Sequence, residues 1–192
     1  MVASIRNQIR YTLPIWGVQL LMDWWPENTL TCRVRGAALK FFLGSCGSRF
    51  AIGKHVQINF GHRFCVGNDC YIARNCWIQA MGNVLFEDEV VCGPYVTIAS
   101  TNHLFRNGST VGAGTRPQPI RVGRGTWIGA HAVLTAGVTV GRGNLIAAGA
   151  VVTRDTPDNV VIGGVPARVL GPRQDDVQPQ SLCEAPAGIR AA

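Results

Sequence analysis

The feature that most constrains this chain is an aliphatic residue that returns every six positions. One run reads Val66, Ile72, Ile78, Phe86, Cys92 and Ile98; a second reads Val122, Ile128, Leu134, Val140, Ile146 and Val152; Ile52 and Ile58 precede both. Twelve of these 14 anchors are Ile, Leu or Val, Phe86 and Cys92 being the others. A helix repeats near about 3.6 residues and a strand about every two, so a six-residue period fits neither as a continuous element. It fits a short strand, a corner and another short strand, with three such units closing a triangular coil. The position after an anchor is often tiny, as at Gly53, Gly67, Gly93, Gly123, Gly129 and Gly141. Glycine there is expected to supply positive φ at a crowded corner. Two slips of two residues, at 58→66 and 78→86, fall at the same corner of the triangle. They leave three predicted columns. Val66, Phe86, Val122 and Val140 form the first; Ile52, Ile72, Cys92, Ile128 and Ile146 the second; Ile58, Ile78, Ile98, Leu134 and Val152 the third.

The period predicts an all-β solenoid of hexapeptide repeats over 49–171. The N-terminal part, 1–48, lacks the hexad and is expected to cap the first coil with short helices at Leu13–Leu21 and Leu30–Leu43. A tail at 172–192 is rich in Pro, Gln and Ala and is expected to be flexible. Between Ile98 and Val122 the pattern lapses over 104–119, which predicts a protruding loop. Loops of that length are commonly functional, and this one begins immediately after His103.

Composition narrows the chemistry. With 47% hydrophobic and 15% charged residues the chain is not a disordered one. It has no run of about 18 apolar residues and no clear signal-peptide cleavage site. Seven cysteines form no C-x-x-C pair, which argues against a structural zinc site. Several sit within the apolar pattern as small buried side chains, so they are expected to be reduced and the protein cytoplasmic. The net charge of +7 comes from scattered arginines rather than a basic stripe. That favours small anionic ligands over nucleic acid, with weak membrane-surface association as a further expectation.

The segments Trp127-Ile-Gly-Ala-His-Ala-Val133, Gly137-Val-Thr-Val-Gly141, Gly149-Ala-Val-Val-Thr153 and Gly164-Val-Pro-Ala-Arg168 resemble the hexapeptide-repeat acyltransferases. The match is to their sugar O-acetyltransferase branch. The Trp-Trp-Pro start and the length look most like exopolysaccharide acetyltransferases of the colanic-acid type. The resemblance implies a left-handed parallel β-helix, acetyl-CoA as co-substrate, a saccharide hydroxyl as acceptor, no metal, and a homotrimer with sites between chains. Its general base matches His103, a residue type suited to the work because imidazole titrates near neutrality. Trp127, Ala130, Ala148, Arg154 and Arg168 match donor-binding positions; arginine forks suit the phosphates of coenzyme A. Trp127 reads equally as a surface aromatic covering a corner, the arginines as solvated charge, and the alanines as corner packing. An acceptor-holding Asn of the resembling enzymes is replaced here by Ala73, which leaves Asn75 or Asn102 as substitutes. His55, His62 and His131 are weaker candidates for catalysis. Three other functions share the fold: transfer to an amino sugar or antibiotic, a zinc hydratase, and a non-catalytic binding solenoid. His103 lacks the closely spaced histidine partner of the hydratases, and the non-catalytic reading leaves a lone histidine at the root of a long loop unexplained.

Overall fold

A computed structural model describes residues 2–174. The tail lies almost wholly outside them, as does Cys183. The anchors stand in the columns that the period predicts. On the first face Val66 pairs with Phe86, Phe86 with Val122 and Val122 with Val140, all in parallel register. On the second, Ile52, Ile72, Cys92, Ile128 and Ile146 stack in turn. On the third, Ile58, Ile78, Ile98, Leu134 and Val152 do the same. The chain is therefore a left-handed parallel β-helix. Its interior is one continuous core in which the anchors are almost completely buried. Each strand is too short to be stable alone, and parallel ladders to the coils above and below supply its backbone partners.

The stack begins before the predicted start at 49 and continues beyond Val152, the last predicted anchor. Ser45–Cys46 pairs with Cys65–Val66 and forms the lowest strand of the first face, with Cys46 in the anchor column. At the other end Val160–Gly164 continues the second face, placing Ile162 above Ile146. Ala167–Pro172 then folds back antiparallel on it. An antiparallel return ends the parallel stack, so no further coil is templated.

The corners correct one expectation. The glycines after the anchors do not have positive φ. They are required for space: a Cβ on Gly123 would lie 2.7 Å from the backbone nitrogen of Arg142, and one on Gly129 2.7 Å from that of Ala148. Left-handed backbone falls two residues later, at Asp69, Asn75, Glu89, Tyr95, Gly125, His131 and Gly149. Asn and Asp tolerate that conformation better than most side chains.

The cysteines pack as small apolar groups. The six within the described residues are free, and burial pushes the Cys70 and Cys76 thiols up to about 11. They remain protonated near neutrality and are poor nucleophiles.

Three helices cover the bottom of the stack. Helix α1, Val2–Asn7, runs through a wide π turn at Gln8–Thr12 into α2, Leu13–Met22. Only the second part of this run was legible in the spacing. Pro14 has no N–H to return to the preceding turn, and the widened turn, with the Leu13 N–H bonded to the Gln8 carbonyl, absorbs that loss. Helix α3, Thr29–Leu39, starts at Asn28, whose side chain accepts from the Thr31 N–H while the Thr31 hydroxyl accepts from the Asn28 N–H. The cap satisfies carbonyls on the exposed edge of the first coil. Gln19 Nε2 donates to the Val56 carbonyl at 2.8 Å. Arg35, wholly buried, donates from Nη1 to the Ile52 carbonyl at 2.8 Å and from Nη2 to the Met22 carbonyl at 3.3 Å. An open sheet edge is thereby closed.

Candidate active site

The interruption after Ile98 is a β-hairpin arm rather than an irregular loop. Thr101–His103 pairs antiparallel with Thr115–Pro117, His103 opposite Thr115. The Leu104 N–H bonds to the Gly114 carbonyl, and Arg106 and Ser109 bridge across a tip in which Asn107 and Gly108 both have positive φ. Asn-Gly is the sequence signature of such a turn; it was present in Arg106-Asn-Gly-Ser109 but is not flanked by alternating apolar residues.

Ser100 fixes the root of the arm. Its hydroxyl is buried, accepts from the Gly82 N–H at 2.8 Å and donates to the Gln79 carbonyl at 2.6 Å. Its own carbonyl accepts from the Gln118 N–H, where the arm returns. His103 stands three residues beyond this anchorage with its side chain exposed. Successive strand residues face opposite ways, so Thr101 and His103 share one side of the arm and Asn102 takes the other. There Asn102 Nδ2 lies 3.5 Å from Gln118 Oε1.

The other predicted residues lie elsewhere on the solenoid. Arg154 is exposed at the third-to-first corner, above the root of the arm. Ala130 and Ala148 occupy the second-to-third corner one coil apart, linked by the Gly149 N–H to the Ala130 carbonyl at 2.9 Å. Asn75 belongs to the same corner lower down, half-buried, its N–H on the Lys54 carbonyl at 3.0 Å. Trp127 points outward from the second face between Val91 and Leu145 and is exposed. Arg168 lies on the terminal strand, its Nη1 donating to the Ala167 carbonyl at 2.8 Å. Within one chain, the third face thus separates His103 and Arg154 from Asn75, Ala130 and Ala148.

That third face leads from the arm to a feature the sequence did not disclose. A groove of about 300 Å³ opens between α2 and the first coil, lined by Trp16, Gln19, Asp23, His55, Gln57 and Asn59. Two of its acceptor atoms, Gln19 Oε1 and Asp23 Oδ1, are buried without a partner. Asp23 Oδ2 lies 3.3 Å from His55 Nδ1. Above Gln57 and Asn59 stand Trp77 and Gln79, then Thr97 and Ala99 directly below the arm. The groove and the base of the arm are thus two coils apart, about 10 Å at the usual strand spacing. No period marks these polar residues, because they project outward from positions the apolar pattern leaves free. Of the other histidines, His131 is exposed and stacks flat on Tyr95 with ring centroids 4.8 Å apart. His62 packs against Tyr11 at 4.6 Å, and desolvation by burial holds its pKa below the ordinary value.

Comparison with known proteins bears on this arrangement. The family described as "Bacterial transferase hexapeptide (six repeats)" matches residues 119–154. Galactoside O-acetyltransferase of Escherichia coli (strain K12) is 32% identical over 154 residues, covering 80% of this chain and 76% of that one. Nodulation protein L of Rhizobium meliloti is 38% identical over 129 residues, 67% of this chain and 70% of that one. A galactoside acetyltransferase solved in complex with coenzyme A superposes with a TM-score of 0.74 at 28% identity, covering 85% of this chain and 80% of its own.

Proposed function

Because this chain belongs to the hexapeptide-repeat acetyltransferases, we propose that it carries an acetyl group from acetyl-CoA to a saccharide hydroxyl, with His103 as general base. The observation that carries this reading is the hairpin arm, which is pinned through Ser100 and holds an exposed imidazole two coils above a polar groove. A sugar hydroxyl is a poor nucleophile until its proton is removed. His103 takes that proton as the oxygen attacks the thioester carbonyl. The tetrahedral species then collapses: the new C–O bond remains, the C–S bond breaks, and the imidazolium returns the proton to the departing thiolate. No covalent enzyme intermediate is needed.

The groove is the acceptor's place. Gln19 Oε1 and Asp23 Oδ1 are bare acceptors that sugar hydroxyls would satisfy. Trp16 offers an apolar surface to a ring. On this reading Asn75, at the adjoining corner, faces the acceptor, whereas Asn102 steadies the arm. The donor takes Trp127, Ala130, Ala148, Arg154 and Arg168, the arginines meeting its phosphates. Because those residues lie on two corners and a face of one chain, the site is completed between neighbours in a cyclic homotrimer. The product belongs to exopolysaccharide, capsule or lipopolysaccharide synthesis in the cytoplasm. The direct test supplies labelled acetyl-CoA with a panel of saccharides. Label on a saccharide hydroxyl supports the proposal; label only on amino groups, or on no saccharide, refutes it.

A further inference from the structure

The helix spanning α1 and α2 is apolar on both sides. One side packs Ile15, Val18 and Met22 towards the solenoid. The other exposes Ile5, Ile9, Leu13, Trp16, Leu20 and Trp24, spaced by four, four, three, four and four residues, which places them along one side of a helix. Exposure reaches 61% at Ile9 and 90% at Trp24. Helix α3 adds Leu30, Val34 and, just beyond its end, Phe41. A helix apolar all round is normally enclosed, and this one is enclosed on one side only.

The charges indicate what covers it. Residues 1–48 contain Arg6, Arg10, Arg33, Arg35 and Lys40 against Asp23 and Glu27. Both acids face the solenoid: Asp23 lies 3.3 Å from His55, and Glu27 lies 3.1 Å from Arg74. Arg35 is buried. The remaining charges of the cap are exposed cations: Arg6 and Arg10 on the α1 run, and Arg33 on α3 and Lys40 at its end, beside the clefts against the first coil. Arg10 lies over the Tyr11 ring at 5.5 Å and Lys40 over the Phe41 ring at 5.0 Å, each a cationic head on an apolar body. Pairing this surface with itself would oppose like charges. A bilayer carrying anionic headgroups offers the opposite charge at the surface and hydrocarbon just beneath it, and tryptophan favours that boundary.

We propose that the outer side of α1–α2, with the adjoining end of α3, is a docking surface for anionic membranes, the helix axis lying in the headgroup plane. No helix among the described residues is long and apolar enough to cross a membrane, so the attachment is peripheral and salt-sensitive. The patch shares Trp16 and Leu20 with the rim of the groove, so its test uses lipid alone and changes only residues outside the groove.

The full chain is sedimented with vesicles of phosphatidylcholine alone and of phosphatidylcholine with one third phosphatidylglycerol. Several-fold greater recovery with the anionic vesicles, reversed by high salt, is expected. The triple variant Ile5→Ser, Ile9→Ser, Trp24→Ser touches no groove residue. It should lower partition at least about tenfold while circular dichroism and turnover on soluble acceptor are unchanged. Arg6→Gln with Arg10→Gln should lower binding to anionic vesicles by about fivefold per arginine. Wild-type protein left in the supernatant with both vesicle types overturns the proposal, as does wild-type binding by the folded variants. If the triple variant instead lowers the sedimenting mass in lipid-free buffer, the surface is a contact between copies and the membrane assignment falls.

Discussion

The coils and the two departures from them, the hairpin arm and the helical cap, follow different rules. In the coils the same structural position recurs. The third residue after an anchor is left-handed at Asp69, Asn75, Glu89, Tyr95, Gly125, His131 and Gly149 alike, and each anchor meets its counterpart in the next coil. Any one coil is redundant in kind, and its residues support stability. In the arm and the cap nothing recurs. Ser100, Gln19 and Arg35 are each committed to particular carbonyls or amides of the coils. The polar atoms left over, the imidazole of His103 in the arm and Asp23 Oδ1 and Gln19 Oε1 in the cap, are available to a ligand. A repeat builds a rigid surface, and its interruptions place chemistry on that surface.

The largest effect is expected from removing the base. His103→Ala should lower turnover by about a hundredfold to ten-thousandfold, the usual contribution of a general base, with the melting temperature unchanged. Steady-state kinetics beside a thermal melt checks this, and near-wild-type turnover in the folded variant would falsify the assignment of His103.

The converse change belongs in a coil. Ile128 is fully buried in the second column. Ile128→Ala should cost about 2–5 kcal/mol in denaturant unfolding. Turnover per folded molecule should hold, because the side chain points inward. A large loss of turnover without destabilisation would blur the division between scaffold and site.

A smaller effect is expected in the groove. Asp23→Asn keeps the shape but removes the charge that faces His55 and replaces one carboxylate acceptor by an amide donor. The acceptor KM should rise about tenfold, the loss of one charge-assisted hydrogen bond, while the KM for acetyl-CoA stays put. Equal changes in both would place Asp23 outside the acceptor groove.

The smallest effect concerns the corner charges that tie coils together. Arg121 contacts Glu87, whose other oxygen lies 3.2 Å from Arg142 Nε. The hydrogen bond from Arg121 holds the Glu87 carboxyl below its ordinary value. A carboxylate with a depressed folded pKa stabilises above its unfolded pKa, and that contribution is lost as pH falls through the folded value. Glu87→Gln should therefore cost about 0.5–1 kcal/mol at neutral pH, modest because the arginines are largely exposed. The difference from wild type should shrink as pH falls below about 4.5. A constant difference across that range would show that the glutamate acts through shape alone.

Legibility in the sequence follows the same division. The three columns could be read residue by residue because burial of an inward anchor every six positions leaves a mark that outlasts substitution, even by Phe86 and Cys92. The lowest strand is not legible because Cys46, although six residues before Ile52, is not aliphatic and has Lys40 rather than an apolar anchor six residues before it. The position of the arm is legible but its pairing is not, since both of its strands are short and exposed and no apolar alternation announces them. The role of the post-anchor glycines was misjudged for a related reason: a crowded position and a left-handed one both select glycine, and only the approach of the next coil distinguishes them.

By itself the sequence determined the solenoid, its register, the point of interruption and the histidine beside it. Each of these depends on a residue's own side chain and on its spacing along the chain. Only the tertiary structure decided that His103 lies on a paired arm with Asn102 turned away, and that the third face separates it from Ala130 and Ala148. It also brought Asp23 and Gln19 beside His55 and Asn59. Those relations are distances between residues remote in sequence. They arise when coils stack and a cap closes an edge, steps that satisfy backbone groups identical in every residue and so leave no trace in residue type.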